Sequence, residues 1–85
     1  KDTLGGLKLK NVVLRISHDE LQKIVHDKKL SCRTRYRQEK ISVESIDEKN
    51  QELTLTLTQT PVTSAGQSVV LYADTLCIGG GVLTN

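Results

Sequence analysis

The chain has 85 residues, enough for one domain with a modest core of Leu, Val and Ile, since Phe, Trp and Met are absent. Its net charge of +2 hides an asymmetry: residues 1–40 carry 11 Lys and Arg against 5 Asp and Glu, and residues 41–85 carry one Lys against five acidic residues. The basic half suggests an anionic partner such as nucleic acid, although a solvated charged surface gives the same counts. No apolar run could span a bilayer and two cysteines make no disulfide framework, so we expect a cytoplasmic protein with reduced thiols and no membrane partner.

A strand and a helix are predicted at the start of the chain. Apolar and polar residues alternate at the beginning of residues 7–14, which is typical of a strand. Ser17 and Glu20 have the spacing of a capping box, in which each side chain bonds the backbone N–H of the other residue. Apolar residues at helical spacing follow, so we predict a short helix over residues 18–27.

Further short strands are predicted along the rest of the chain. In residues 29–38 one face carries Leu30, Cys32, Thr34 and Tyr36, and the other carries Ser31, Arg33, Arg35 and Arg37. The remaining strands are predicted at residues 41–43, 52–59, 68–72 and 76–83, with a polar turn at Asp47–Asn50 and a loop at Pro61–Gln67. The glycines at 79–81 inside the last strand indicate a bulge, a bend or a close approach of backbones.

These six strands and one helix define an all-β fold. Frequent reversals favour antiparallel pairing, and closing so short a sheet removes its exposed edges. We therefore predict a small six-stranded antiparallel barrel with one short helix. A half-open sheet packed on the helix is the second choice.

Three arginines, Arg33, Arg35 and Arg37, are the first candidate site. Period-two spacing places them on one side of one strand, about 6.6 Å apart, which is near the spacing of phosphates along a nucleic-acid strand. Arginine can also bind a phosphate through two parallel hydrogen bonds. The alternative is a solvated outer face paired with Glu39 or Glu44, and the sequence favours neither interpretation.

Other chemically active residues give weaker signals. Tyr36 falls on the face opposite the arginines, so a core position with its hydroxyl at the rim is favoured over stacking on a base. Cys32 and Cys77 lie in predicted strands and are expected to be small buried hydrophobes. Neither a metal site nor a catalytic residue is expected, because the histidines lack the spacing of a metal pair and no nucleophile has an evident base.

Three segments of the chain form a recognisable series. They are Arg35-Tyr36-Arg37-Gln38, the stretch from Ala65-Gly66-Gln67 to Tyr72, and Cys77-Ile78-Gly79-Gly80-Gly81-Val82. Their order and spacing resemble the C-terminal domain of the bacterial tRNA-specific 2-thiouridylases, which typically shows Arg-Tyr-Arg-Gln, then Pro-Gly-Gln before an apolar strand ending in Tyr, then Cys-Leu-Gly-Gly-Gly. The resemblance covers residues 29–83 well. Ala65 replaces the usual Pro, and Ala73-Asp74 replaces a common Asp-Gly turn.

The resemblance implies that residues 1–85 are a single domain, the C-terminal β-barrel fragment of a larger enzyme. That enzyme would replace oxygen with sulfur at C2 of the wobble uridine in certain tRNAs. It would use ATP with magnesium in a separate catalytic ATP-pyrophosphatase domain of the same chain, and a sulfur-relay protein or cysteine desulfurase would supply sulfur. The barrel would need no cofactor of its own and would help hold the tRNA.

The family's tRNA contacts map onto Arg35, Tyr36 and Gln67, and Arg33 and Arg37 lie beside them. The chain is therefore predicted to be a tRNA-binding accessory domain, not an enzyme by itself. The alternative is a structural or protein-docking barrel without direct RNA contact, in which the acidic second half would be the docking face.

Overall fold

The computed structural model describes residues 5–34, 39–59 and 63–84. Within these ranges the chain forms β1 (Gly5–Leu14), α1 (His18–His26), β2 (Leu30–Arg33), β3 (Ile41–Lys49), β4 (Glu52–Leu57), β5 (Ser68–Ala73) and β6 (Leu76–Leu83). The strands close into a barrel in the order β1-β4-β3-β2-β5-β6, and each neighbouring pair is antiparallel. The predicted six-stranded antiparallel barrel with one helix is confirmed for the described part of the chain.

The barrel interior is filled by the apolar faces that alternation predicts. In β4, Leu53, Leu55 and Leu57 are buried, whereas the threonines between them are only half-buried. The same holds in β2, where Leu30 and Cys32 are buried and the residues that follow each of them are half-buried. Because neighbouring residues of a strand point to opposite faces, Arg33 lies on the outer surface.

The two cysteines differ in their surroundings. Cys32 is fully buried in the core, as predicted, and this burial raises the pKa of its thiol from 9.0 to about 11. Cys77 is exposed, so the prediction that it is a buried hydrophobe is wrong. It lies near the beginning of β6, where Leu76 is also exposed, and the apolar core begins only at Ile78. An apolar run alone therefore overestimated how far the core extends along this strand.

Helix α1 begins and ends with recognisable caps. The Ser17 side chain accepts from the Glu20 N–H at 3.1 Å, and the Glu20 carboxylate accepts from the Ser17 N–H at 3.1 Å, which confirms the predicted capping box. At the other end Lys28 has a positive φ of 60°, and the Lys29 N–H donates to the Ile24 carbonyl at 2.9 Å. This is the Schellman arrangement, so the helix ends at His26, one residue before the predicted end.

The predicted turn at Asp47–Asn50 is placed too early. Strand β3 continues to Lys49, which pairs with Glu52, and the chain reverses at Asn50 and Gln51. Both of these residues have positive φ, 54° and 67°, as a two-residue hairpin turn of the primed type requires. A run of polar residues can occupy an exposed strand as well as a turn, and here Asp47 and Glu48 lie in the strand.

The glycines of β6 permit close approach to both neighbouring strands, as predicted. A Cβ at Gly79 would collide with the carbonyl oxygen of Val13 in β1, and a Cβ at Gly80 would collide with that of Val69 in β5. The ladders beside β6 also shift register, between Lys10 and Val13 on one side. The absence of side chains thus lets the last strand close the barrel.

Candidate nucleic-acid interface

Two of the five predicted RNA-binding residues lie in the described part of the chain. Arg33 is the last residue of β2, and Gln67 immediately precedes β5. Because β2 and β5 are antiparallel neighbours, with Arg33 opposite Val70, these two residues lie at the same end of the barrel. Arg35, Tyr36 and Arg37 come directly after this end of β2 in sequence, and they lie outside the described residues.

The side-chain amide of Gln67 joins two segments. Its Nε2 donates to the backbone carbonyl of Thr34, and its Oε1 accepts from the backbone N–H of Ser64 at 3.1 Å. Its own carbonyl accepts from the Leu83 N–H at 2.8 Å, which attaches this loop to β6. Gln67 therefore bonds its own turn and also holds the residue that precedes Arg35.

Arg33 has an unusual environment for a surface arginine. Its guanidinium carbon lies 5.4 Å from the centre of the Tyr72 ring, within the range of a cation–π contact. Its Nε is buried and has no hydrogen-bond partner. Among the described residues no ion pair joins Arg33 to Glu39 or Glu44. The neighbour of this guanidinium in the described part of the chain is therefore an aromatic ring and not Glu39 or Glu44.

A second cation lies over the same ring. Lys40 Nζ is 4.6 Å from the centre of the Tyr72 ring and donates to the Asp74 backbone carbonyl at 3.0 Å. We call Arg33, Lys40 and Tyr72 the Tyr72 cluster. The sequence prediction did not include Lys40 or Tyr72. The signal that could have found them is the strand pairing, which places residues from β5 and from the start of β3 on either side of β2.

A groove of about 580 Å³ lies at the other end of the barrel. Half-buried Val12, Leu14 and Ile16 form part of its wall, and His18 Nδ1 lies 2.7 Å from a Glu48 carboxylate oxygen at its edge. Over residues 5–34, 39–59 and 63–84, no group of three or more His, Cys, Asp or Glu side chains is placed to hold a metal ion. Nor does that part of the chain include a helix long and apolar enough to cross a membrane.

Comparison with known proteins identifies a family whose match includes the residues of the Tyr72 cluster and Gln67. A family model described as the aminomethyltransferase β-barrel domain matches residues 6–83. This family is a β-barrel domain of tRNA-modifying enzymes. No curated protein and no solved structure matches the chain. The match covers β2 to β6 completely, and it therefore includes Arg33, Lys40, Tyr72 and Gln67.

Proposed function

The chain belongs to the aminomethyltransferase β-barrel domain family, and on this premise we propose that it is the tRNA-binding accessory domain of a tRNA-specific 2-thiouridylase. The parent enzyme makes 2-thiouridine at the wobble position in an ATP-dependent reaction in the cytoplasm. The barrel supplies no catalytic group and positions the tRNA. The family match supports the wider class of tRNA-modifying enzymes, and the three sequence motifs support the narrower assignment to the thiouridylases.

The observation that carries this proposal is the hydrogen bond from Gln67 Nε2 to the Thr34 carbonyl. It joins the loop of the Ala-Gly-Gln motif to the residue immediately before the Arg-Tyr-Arg-Gln motif. Two segments that are more than 30 residues apart in sequence are thereby held at one end of the barrel. A bond between these motifs supports a shared role for them in binding one ligand.

The cations on the outer face of β2 and its neighbours also favour an anionic ligand. Arg33 and Lys40 make no ion pair with a carboxylate among the described residues, so their charges are not neutralised there. Arg35 and Arg37 add two further cations within a few residues along the chain. Cations attract the phosphate backbone of RNA, which supplies much of the affinity of a nucleic-acid complex.

The remaining parts of the reaction belong to the rest of the enzyme. ATP with magnesium would bind the catalytic domain of the same chain, and a sulfur-relay protein or a cysteine desulfurase would deliver the sulfur. The partners of the barrel itself are then tRNA and that catalytic domain.

Binding of unmodified tRNA to this chain tests the proposal. We expect fluorescence anisotropy to detect a complex at low salt that weakens as salt rises. Arg35→Ala should weaken binding and flatten the salt dependence. Lys23→Ala, which removes one charge from the exposed face of α1, is the matched control and should change neither. Absence of binding at low salt, or equal behaviour of the two variants, would contradict the proposal.

The narrower assignment to the thiouridylases has its own test. Deleting the gene that encodes this chain from its host should remove 2-thiouridine from the tRNA pool, measured by mass spectrometry of tRNA nucleosides. An unchanged level of 2-thiouridine would show that the parent enzyme carries out a different tRNA modification.

Docking to another protein domain without RNA contact is the second candidate function. It is favoured by two large apolar side chains on the barrel surface, Val13 at 69% exposure and Leu76 at 67%. Val13→Ser and Leu76→Ser should leave tRNA binding unchanged if the RNA-binding proposal is right. Gel filtration with the parent's catalytic domain tests docking through these side chains, and the tRNA-binding assay separates the two functions, because only the first proposal requires tRNA binding.

A further inference from the structure

The Tyr72 cluster lies across three neighbouring strands of the barrel. Cys32 of β2 pairs with Ile41 of β3 on one side and with Leu71 of β5 on the other, and all three residues are buried. In a strand the residue next to an inward-facing one faces outward. Arg33 and Tyr72 are such neighbours, Lys40 immediately precedes β3, and the contacts of both cations with the Tyr72 ring bring the three side chains together on the outer surface.

We propose that Arg33, Lys40 and Tyr72 form a binding site for one backbone phosphate of tRNA, an inference that rests on the proposed function. The two cations lie 5.4 and 4.6 Å from one ring centre, so their separation is no more than about 10 Å. This is comparable with the Debye length at 0.1 M salt, so the cations repel each other. A phosphate that contacts both cations relieves that repulsion.

The chemistry of the two cations fits a phosphate. The Lys40 ammonium has three N–H donors and gives one to the Asp74 carbonyl, which leaves donors for a ligand. Arginine offers paired N–H groups that match two oxygens of a phosphate. The Arg33 Nε is buried without a hydrogen-bond partner, and the Tyr72 ring lies 5.4 Å from the guanidinium carbon, so this arginine lies against the barrel.

Tyr72 acts in this site as a positioning residue. Both cations contact its ring, which restricts two long and otherwise flexible side chains before the ligand arrives. Ordering these side chains in advance lowers the entropic cost of binding. The position also suits RNA better than a free anion, because Arg33 is two residues from Arg35, the proposed tRNA contact, along the same segment.

The test compares variants of the cluster in salt titrations of tRNA binding. The double variant Arg33→Gln/Lys40→Gln should lower the slope of log K against log salt by about 0.7–0.9, the value for one phosphate contact. The control Arg15→Gln/Lys23→Gln removes two exposed charges at a distance from the cluster and should leave the slope unchanged. A double variant with the slope of this control would overturn the site.

Tyr72 is tested by coupling to the cations. Tyr72→Leu should weaken tRNA binding several-fold in the unchanged chain and have no effect in the Arg33→Gln/Lys40→Gln background, because the ring acts through the two cations. Tyr72→Phe keeps the ring and should bind as the unchanged chain does, which separates this role from simple loss of folding. Equal effects of Tyr72→Leu in both backgrounds would overturn the positioning role.

Two further outcomes are distinguishable. If the unchanged chain does not bind tRNA, the proposed function is wrong and this site is wrong with it. If the unchanged chain binds tRNA but the Tyr72 cluster variants bind it with the same salt dependence as their control, the proposed function stands and this site alone is wrong. Inorganic phosphate at constant ionic strength should not displace the tRNA; complete displacement would overturn the assignment of the cluster to one backbone phosphate of tRNA.

Discussion

Replacing Gln67 with Glu tests the link between the two motif segments. The amide makes two side-chain hydrogen bonds, donating from Nε2 to the Thr34 carbonyl and accepting at Oε1 from the Ser64 N–H. Glutamate has the same shape and keeps the acceptor for Ser64. It places a second oxygen, negatively charged at neutral pH, against the Thr34 carbonyl. The change therefore removes one bond and adds a repulsion at the same position.

The expected cost follows from these two effects. A net hydrogen bond contributes about 0.5–1.5 kcal/mol, and a partly buried polar group that loses its partner costs about 1–3 kcal/mol. We therefore expect Gln67→Glu to lower the free energy of unfolding by about 1–3 kcal/mol at pH 7. A small domain has a urea m-value near 1 kcal/mol/M, so the unfolding midpoint should fall by roughly 1–3 M.

The pH dependence has a definite sign. Repulsion by the Thr34 carbonyl raises the pKa of the introduced carboxyl in the folded state above its unfolded value of about 4.3. The folded variant then binds the proton more tightly, so stability falls as pH rises above the unfolded pKa, and the loss disappears below about pH 4. Circular dichroism can follow unfolding, because the chain has no Trp. Gln22→Glu, on the exposed face of α1, is the matched control, and an equal fall in the midpoints would refute the reasoning.

Three further predictions concern the stability of the chain. The free energy of unfolding should fall by on the order of 2 kcal/mol between pH 9 and 11, because the raised pKa of Cys32, about 11, keeps the folded thiol protonated while the unfolded thiol ionises. Cys32→Ala should remove this pH dependence in urea titrations. An unchanged pH dependence in the variant would count against the prediction. Gly80→Ala should lower the free energy of unfolding by more than about 2 kcal/mol through its collision with β5, whereas Gly6→Ala, with no close neighbour, should be nearly neutral by the same measurement. Lys28→Gly should raise the thermal midpoint by stabilising the chain by about 1 kcal/mol, because glycine adopts a positive φ without strain; a lower midpoint would contradict this.

Much of the fold could be predicted because its signals are local. The alternation of Leu53, Leu55 and Leu57 with threonines places one face of β4 in the core, and the spacing of Ser17 and Glu20 marks the start of α1. Polar residues are less informative, since they occupy exposed strands and turns equally well. This is why the end of β3 was predicted too early and the turn was predicted at 47–50 instead of 50–51.

The candidate site could be predicted only in part. Arg33 was predicted from the period-two spacing of the arginines, and Gln67 from a motif resemblance; both depend on residue identity along the chain. The contact of Gln67 with Thr34, and the meeting of Arg33 and Lys40 on the ring of Tyr72, depend on how strands from distant parts of the sequence pair. Such pairing is decided by the closure of the whole barrel, so no local pattern reveals it.

The most direct test of the central claim is an NMR titration of the isotope-labelled chain with unmodified tRNA. If tRNA binds directly to the surface that carries Arg33, Lys40 and Gln67, backbone resonances should shift most around these three residues. Little change is expected in α1 or at the turn of Asn50. Shifts confined to the groove beside α1, or no shifts at all, would contradict the account.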